Sequence, residues 1–182
     1  VGSELCIRDR DIMEEMALEY PDVTFLHCSG YKSNDSNYTN YFGKIYEARY
    51  LSGLAAGSLT ESNKIGYVAA FPIPEVIRGI NAFANGVKEV NPNATVEVVW
   101  TNTWFGPEEE TQAANALLEA GADVLTQHQD SASTGIAAEA AGAKWIGYHT
   151  GYGQEAAPNA FVTAPVWNWG PLYTEMVNAV IN

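Results

Sequence analysis

The apolar positions of this chain fall into short blocks of two kinds that alternate along its length. Residues 64–70 (KIGYVAA) form a brief apolar run, which predicts a strand buried on both faces. Phe71-Pro72-Ile73-Pro74 ends it, because two prolines one residue apart interrupt the ladder. Val76, Ile80, Phe83, Val87 and Val90 then recur at helical spacing, and Asn91-Pro92-Asn93 stops that helix. Residues 95–100 (TVEVVW) are rich in β-branched and aromatic side chains and predict the next strand. The cycle repeats. Pro107 and the three following glutamates open a helix through residue 120, buried on Ala113, Ala114, Leu117 and Leu118. Gly121 supplies the left-handed residue that ends it. Strands are expected over 123–126, 144–148 and 161–164, and a short Ala-rich helix over 132–141. The final helix, 171–181, is expected to bury Met176, Val177 and Val180. Upstream, a helix is expected over 11–20, a strand over 23–27, and a longer helix over 44–59 with Ala48, Leu51, Ala55 and Leu59 on one face.

Strands alternating with helices of this length imply βαβ crossovers. The expected fold class is therefore α/β, a parallel sheet flanked by helices on both faces. Such sheets bind ligands beyond the carboxyl ends of their strands, which singles out the loops 71–75, 101–107, 127–133, 149–158 and 165–170. At 182 residues and 47% apolar content the chain has enough core for one domain, or for one lobe and part of another. No run reaches the ~18 apolar residues of a membrane span, and no signal-peptide pattern occurs. Residues 1–10 (VGSELCIRDR) follow neither period and are read as a non-native or artefactual N-terminus, Cys6 with them.

Charge narrows the partners. With 9 Lys+Arg against 22 Asp+Glu the formal net charge is −13, which repels phosphate backbones and anionic membranes, so no nucleic-acid partner is expected. Glu108, Glu109 and Glu110 are read as carboxylates complementing a helix dipole. Cys6 and Cys28 form no CxxC pair, and His27, His128 and His149 have no metal-ligand spacing, so neither metal nor cofactor is expected.

The strand-end loops carry the remaining chemistry. One offers Trp104 and Phe105 beside Asn102; another offers Trp167, Asn168 and Trp169. Aromatic faces stack on flat ligands while a neighbouring amide both donates and accepts. Each tryptophan taken singly reads as a core cap, whereas the two loops together read as a binding site, and residue type does not choose between a sugar and a base. Asp130 is either the N-cap of the following helix or a carboxylate accepting ligand N–H groups. A Ser–His–Asp grouping of Ser131 or Ser133, His128 or His149, and Asp130 keeps a small esterase-like hydrolase as the alternative, although no GxSxG elbow is present.

The segment running from YFGKIYEARYLSGLAAG to NATVEVVWTNTW, with GADVLTQHQDSAST and TAPVWNWGPLY, resembles the basic membrane protein family of ABC-transporter solute-binding proteins. The resemblance runs from Met13 to the last residue, and GYVAAFPIPEVIRGINAF and PVWNWGP are its most specific parts. It implies a periplasmic-binding-protein-like (type I) lobe. Members are two-lobed periplasmic proteins or membrane-anchored lipoproteins that hold a purine base or nucleoside between the lobes and serve an ABC permease. The resemblance makes 11–60 the end of the first lobe and 61–182 the second, truncated at both ends, with exposed lobe surface favouring self-association. It makes Trp104 a stacking aromatic and Asp130 a polar contact, and puts the His149 loop and Trp167, Asn168 and Trp169 at the cleft. Nucleoside binders of the family carry a lysine in place of Trp167 and an aspartate near His149. Their absence speaks against ribose recognition, and the branch of the family that this chain most resembles is one that binds a free purine base such as adenine.

Overall fold

In the computed structural model residues 10–149, 151 and 153–181 are described; the first nine residues, Cys6 among them, lie outside that range. In chain order the elements are α1 (Arg10–Glu19), β1 (Phe25–Cys28), β2 (Tyr38–Tyr41), α2 (Ile45–Leu59), β3 (Lys64–Ala69) and α3 (Pro74–Val90). They continue as β4 (Thr95–Trp100), α4 (Pro107–Glu119), β5 (Val124–His128), α5 (Ser133–Ala141), β6 (Lys144–Ile146), α6 (Gly153–Ala156), β7 (Phe161–Thr163) and α7 (Trp169–Ile181).

Residues Lys44–Trp167 form one compact unit. Its sheet has the order β4-β3-β5-β6-β7, and every pairing is parallel. The expected α/β class with helices on both faces is what the chain adopts. β3 and β5 are buried almost throughout because both faces are covered, so their apolar runs need no alternation. On one face Val68, Leu117, Leu125, Ala138 and Trp145 pack beneath α4 and α5. On the other, Tyr67 meets Phe83 of α3 edge-on, with ring centroids 5.6 Å apart. Gly121 takes φ +94°, as expected for the residue after α4, and Ala122 N–H returns to Leu117 O.

Ala48, Leu51, Ala55 and Leu59 share one face of α2 as expected, but the helix buries another. Ile45, Arg49, Ser52, Gly53, Ala56 and Gly57 are buried, while Leu51 is 63% exposed. The reason is the crossing with α3. A Cβ on Gly53 would lie 2.1 Å from Phe83 O, and one on Gly86 2.1 Å from Tyr50 O. The backbones meet where only glycines fit, and that contact outweighs the larger apolar side chains. Ala48, Leu51 and Ala55 instead line an open groove of about 530 Å³ with Val162 and Val166.

The second compact unit comprises residues up to Gly43 and from Asn168 onward. β1 and β2 pair in parallel, and the unforeseen β2 is set up by Asn34, whose side-chain oxygen accepts the Ser36, Asn37 and Tyr38 N–H groups. Asn37 donates to the carbonyls of Ala17, Tyr20 and Val23. In α7 the expected burial of Met176, Val177 and Val180 does not occur: Val177 is 55% and Val180 59% exposed. Within this unit they meet only a shallow depression shared with Thr24 and Leu26. The expected lobe boundary at 60/61 and these contact boundaries differ in their placing of α2 and α7: the glycine crossing ties α2 to α3, and a Tyr41–Tyr173 hydroxyl bond of 3.1 Å ties α7 to β2.

Candidate solute-binding site

The carboxyl ends of β3, β4, β5 and β6 are extended by backbone hydrogen bonds that hold the loops in place. Thr101 and Asn102 N–H groups donate to Ala69 and Ala70 carbonyls, continuing the β3–β4 ladder past Trp100. Asp130 N–H donates to Trp104 O, tying the loop after β5 to the loop after β4. Gly147 N–H donates to Thr163 O, and His149 makes a parallel bridge with Val166. Asn102 (φ 57°) and His149 (φ 65°) sit in the left-handed region, where side-chain-bearing residues are held only by surrounding structure.

These bonds bring aromatic rings together. Trp104, 8% exposed, packs on Phe71 at 5.4 Å between centroids and on His128 at 5.9 Å. His128 continues to Tyr148 at 4.3 Å, Tyr148 to His149 at 3.5 Å, and His149 to Trp167 at 5.9 Å in a near-parallel stack. Trp167 Nε1–H donates to His149 Nδ1. Beneath the rings lies Arg49, fully buried, its guanidinium 4.1 Å from the Tyr148 centroid. It donates to Thr126 Oγ1 and to the Gln127 carbonyl, and no carboxylate partners it among the described residues. Burial, with the Arg49 charge second, holds His128 well below the ordinary imidazole range and brings His149 down to about 3. Both rings are therefore neutral at pH 7. Glu75 Oε1 stands 4.0 Å from His128 Nε2, too far for a hydrogen bond.

Beside the rings is a cleft of about 440 Å³, lined by Gln127, Asp130, Ser131, Trp145, Tyr148 and Glu155 among others. The floor is fixed by Trp145 Nε1–H donating to Gln127 Oε1, while the Gln127 amide donates to the carbonyls of Gln129 and Ser131. The Trp145 ring needs Gly135, since a Cβ there would lie 2.2 Å from its Cε3. Glu110 is more than a dipole complement. It is fully buried, accepts from Gly106 N–H and Ser131 O–H, and is shifted upward by burial.

Of the residues singled out in the sequence, Asn102, Trp104, Phe105, Asp130, His149 and Trp167 lie in the five-stranded unit at these strand ends. Phe105 is 54% exposed and outside the ring array. Asn168 and Trp169 belong to the other unit, where Trp169 stacks on Tyr173 and meets Tyr41 edge-on. Asp130 does not cap α5: Ala132 is the N-cap residue, and Ser133 N–H is satisfied by Ser131 Oγ. Arg49, Gln127 and Tyr148 were missed. An arginine among small residues at the 45, 49, 52/53, 56 spacing was the available signal for the first.

A family described as ABC transporter substrate-binding protein, PnrA-like (Bmp), matches residues 7–182. The chain belongs to this family. It is 48% identical over 164 residues to a Haloferax volcanii protein named as an ABC transporter glucose-binding protein, covering 90% of this chain and 41% of that one. It is 39% identical over 168 residues to a purine-binding protein of Brucella abortus, covering 92% of this chain and 47% of the relative. The chain thus spans less than half the length of these two relatives. Among solved structures, an ABC transporter solute-binding protein from Conexibacter woesei superimposes with a TM-score of 0.71 at 25% identity, over 94% of this chain and 58% of that one. One from Aeropyrum pernix superimposes with a TM-score of 0.79 at 18% identity, over 95% and 52%, a likeness of fold. The family is one of extracytoplasmic binding proteins, and no described helix is long and apolar enough to cross a membrane. The hydrolase alternative finds no support. Ser131 O–H is engaged by Glu110 and Ser133, and His149 Nδ1 by Trp167, so no serine–histidine pair forms among the described residues.

Proposed function

We propose that this protein is the solute-binding component of an ABC importer, taking a purine base of the adenine type and delivering it to a membrane permease. The carrying observation is the unbroken contact of Trp104, His128, Tyr148, His149 and Trp167 at the strand ends. Planar, uncharged rings favour a planar, uncharged solute, because stacking and exclusion of water both grow with the flat area matched. Trp104 stacks on the solute, Asn102 and Asp130 meet its polar edge, and Trp167 stands at the cleft beside His149. A lipid anchor holds the protein outside the cytoplasm. Exposed Leu51, Val166, Val177 and Ile181 lead this chain to self-associate, which sedimentation at rising concentration tests.

A carbohydrate solute is the second reading, favoured by the printed name of the 48%-identical relative. Tryptophan-fluorescence titration with adenine, guanine, hypoxanthine, adenosine and glucose separates the two. Saturable quenching by a purine, lost in Trp104→Ala, is expected. Saturation by glucose alone would replace the purine with a sugar.

A further inference from the structure

We propose that Trp167 locks His149 into a single tautomer, making its Nε2–H a fixed hydrogen-bond donor that selects solutes presenting an acceptor lone pair. An indole N–H only donates, so the His149 Nδ1 that receives it must carry a lone pair. A neutral imidazole has one N–H, and with Nδ1 bare the proton sits on Nε2. His149 Nε2 has no hydrogen-bond partner among the described residues, nor is it among their buried orphaned atoms. It is therefore a donor available to a ligand.

Three features hold the ring in place. The backbone is fixed in the left-handed region by the bridge to Val166, the stack on Trp167 is inclined by only 26°, and Tyr148 packs the adjoining face. The charged and titratable groups around it are Arg49, His128 and Tyr148, with Glu75 beyond His128. Burial first and the Arg49 charge second disfavour a second proton on His149, so the lock persists over the neutral range. Trp167 is a positioning residue here: it acts on the solute through His149.

This inference rests on the solute-binding reading for its ligand, so the test has two independent arms. In the first, 15N NMR of histidine-labelled protein, with His149→Gln assigning the signal, reads the tautomer directly. The expected result is a His149 signal of the Nε2–H form from pH 8 to 6, giving way to a tautomer mixture in Trp167→Phe. An Nδ1–H signal in the parent chain, or one unchanged by Trp167→Phe, would overturn the lock. In the second arm adenine is titrated against its 1-, 3- and 7-deaza analogues, each lacking one ring acceptor. One analogue is expected to bind about tenfold more weakly, about 1.4 kcal/mol. That difference should disappear in His149→Leu and return in His149→Gln, whose amide N–H replaces the donor. Equal binding of all four compounds overturns the selectivity. If no purine binds, the solute reading fails, and the NMR arm alone decides the lock.

Discussion

Replacing Gly86 by alanine tests whether the α2–α3 crossing governs the stability of the five-stranded unit. The new Cβ would stand 2.1 Å from Tyr50 O, 3.0 Å from Leu54 N and 3.1 Å from Gly53 Cα. Ordinary carbon contacts need about 3.5 Å, so the helices must separate by about 1 Å or more. All three clashing groups are backbone, so no rotamer change relieves them. Separation loosens the packing of Ala56, Phe83 and Val87, each fully buried. Overpacking costs about 1–3 kcal/mol, here the upper end because the clash is with backbone, against about 1 kcal/mol regained from alanine's helix propensity. A net loss of about 2 kcal/mol is expected, lowering Tm by about 4–8 °C in a chain of this size. Gly170→Ala is the control, because nothing lies within 4 Å of its Cβ position; its Tm should be unchanged. Thermal unfolding followed by circular dichroism reads both. A Gly86→Ala variant melting at or above the parent would refute the argument.

Two further predictions concern buried charge. His128 and His149 are folded with lowered pKa, so the unfolded chain binds protons first as pH falls below 6.5, and stability must fall with it. The loss runs at about 1.4 kcal/mol per pH unit for each ring, continuing for His149 down to about pH 3. Urea unfolding at pH 7 and pH 5 should show it, and His149→Gln should flatten the dependence; parallel slopes would contradict the assignment. Glu110 shifts the opposite way: burial raises its pKa, favouring the folded state at low pH, and that contribution is lost as pH rises through the folded value. Glu110→Gln keeps an acceptor for Gly106 and sheds the buried charge, so its urea midpoint should match or exceed the parent's. Glu110→Ala orphans Gly106 N–H and should lose about 2 kcal/mol.

How far the sequence carried the fold depends on what each element packs against. β3, α4 and β5 were legible because sheet burial imposes an apolar run and a helical stripe, and nothing competes with that signal. β2 was not, since Tyr38-Thr39-Asn40-Tyr41 is half polar and owes its strand to the Asn34 turn before it. The buried face of α2 was not legible because side-chain hydrophobicity counts area, whereas its interface is chosen by backbone approach at Gly53 and Gly86. α7 shows the converse: its apolar positions were read correctly, but apolarity does not supply a partner within its unit.

The candidate site was legible in kind and not in construction. Trp104, His149 and Trp167 were visible as aromatics and a histidine on strand-end loops, because in a parallel sheet the loops after strands share one end. What joins them was invisible. Arg49 comes from a helix well upstream, and Tyr148 sits just past a strand whose pattern reads as plain core. Yet those two residues decide the electrical character of the wall: burial takes away the histidines' water, and the guanidinium beneath makes a further positive charge costly. A surface that reads as titratable in the sequence is thereby a neutral one in the fold. Under the proposed reading the ring wall contributes shape and fixed donors and acceptors, while charge enters from Asp130 and Glu155 in the cleft beside it.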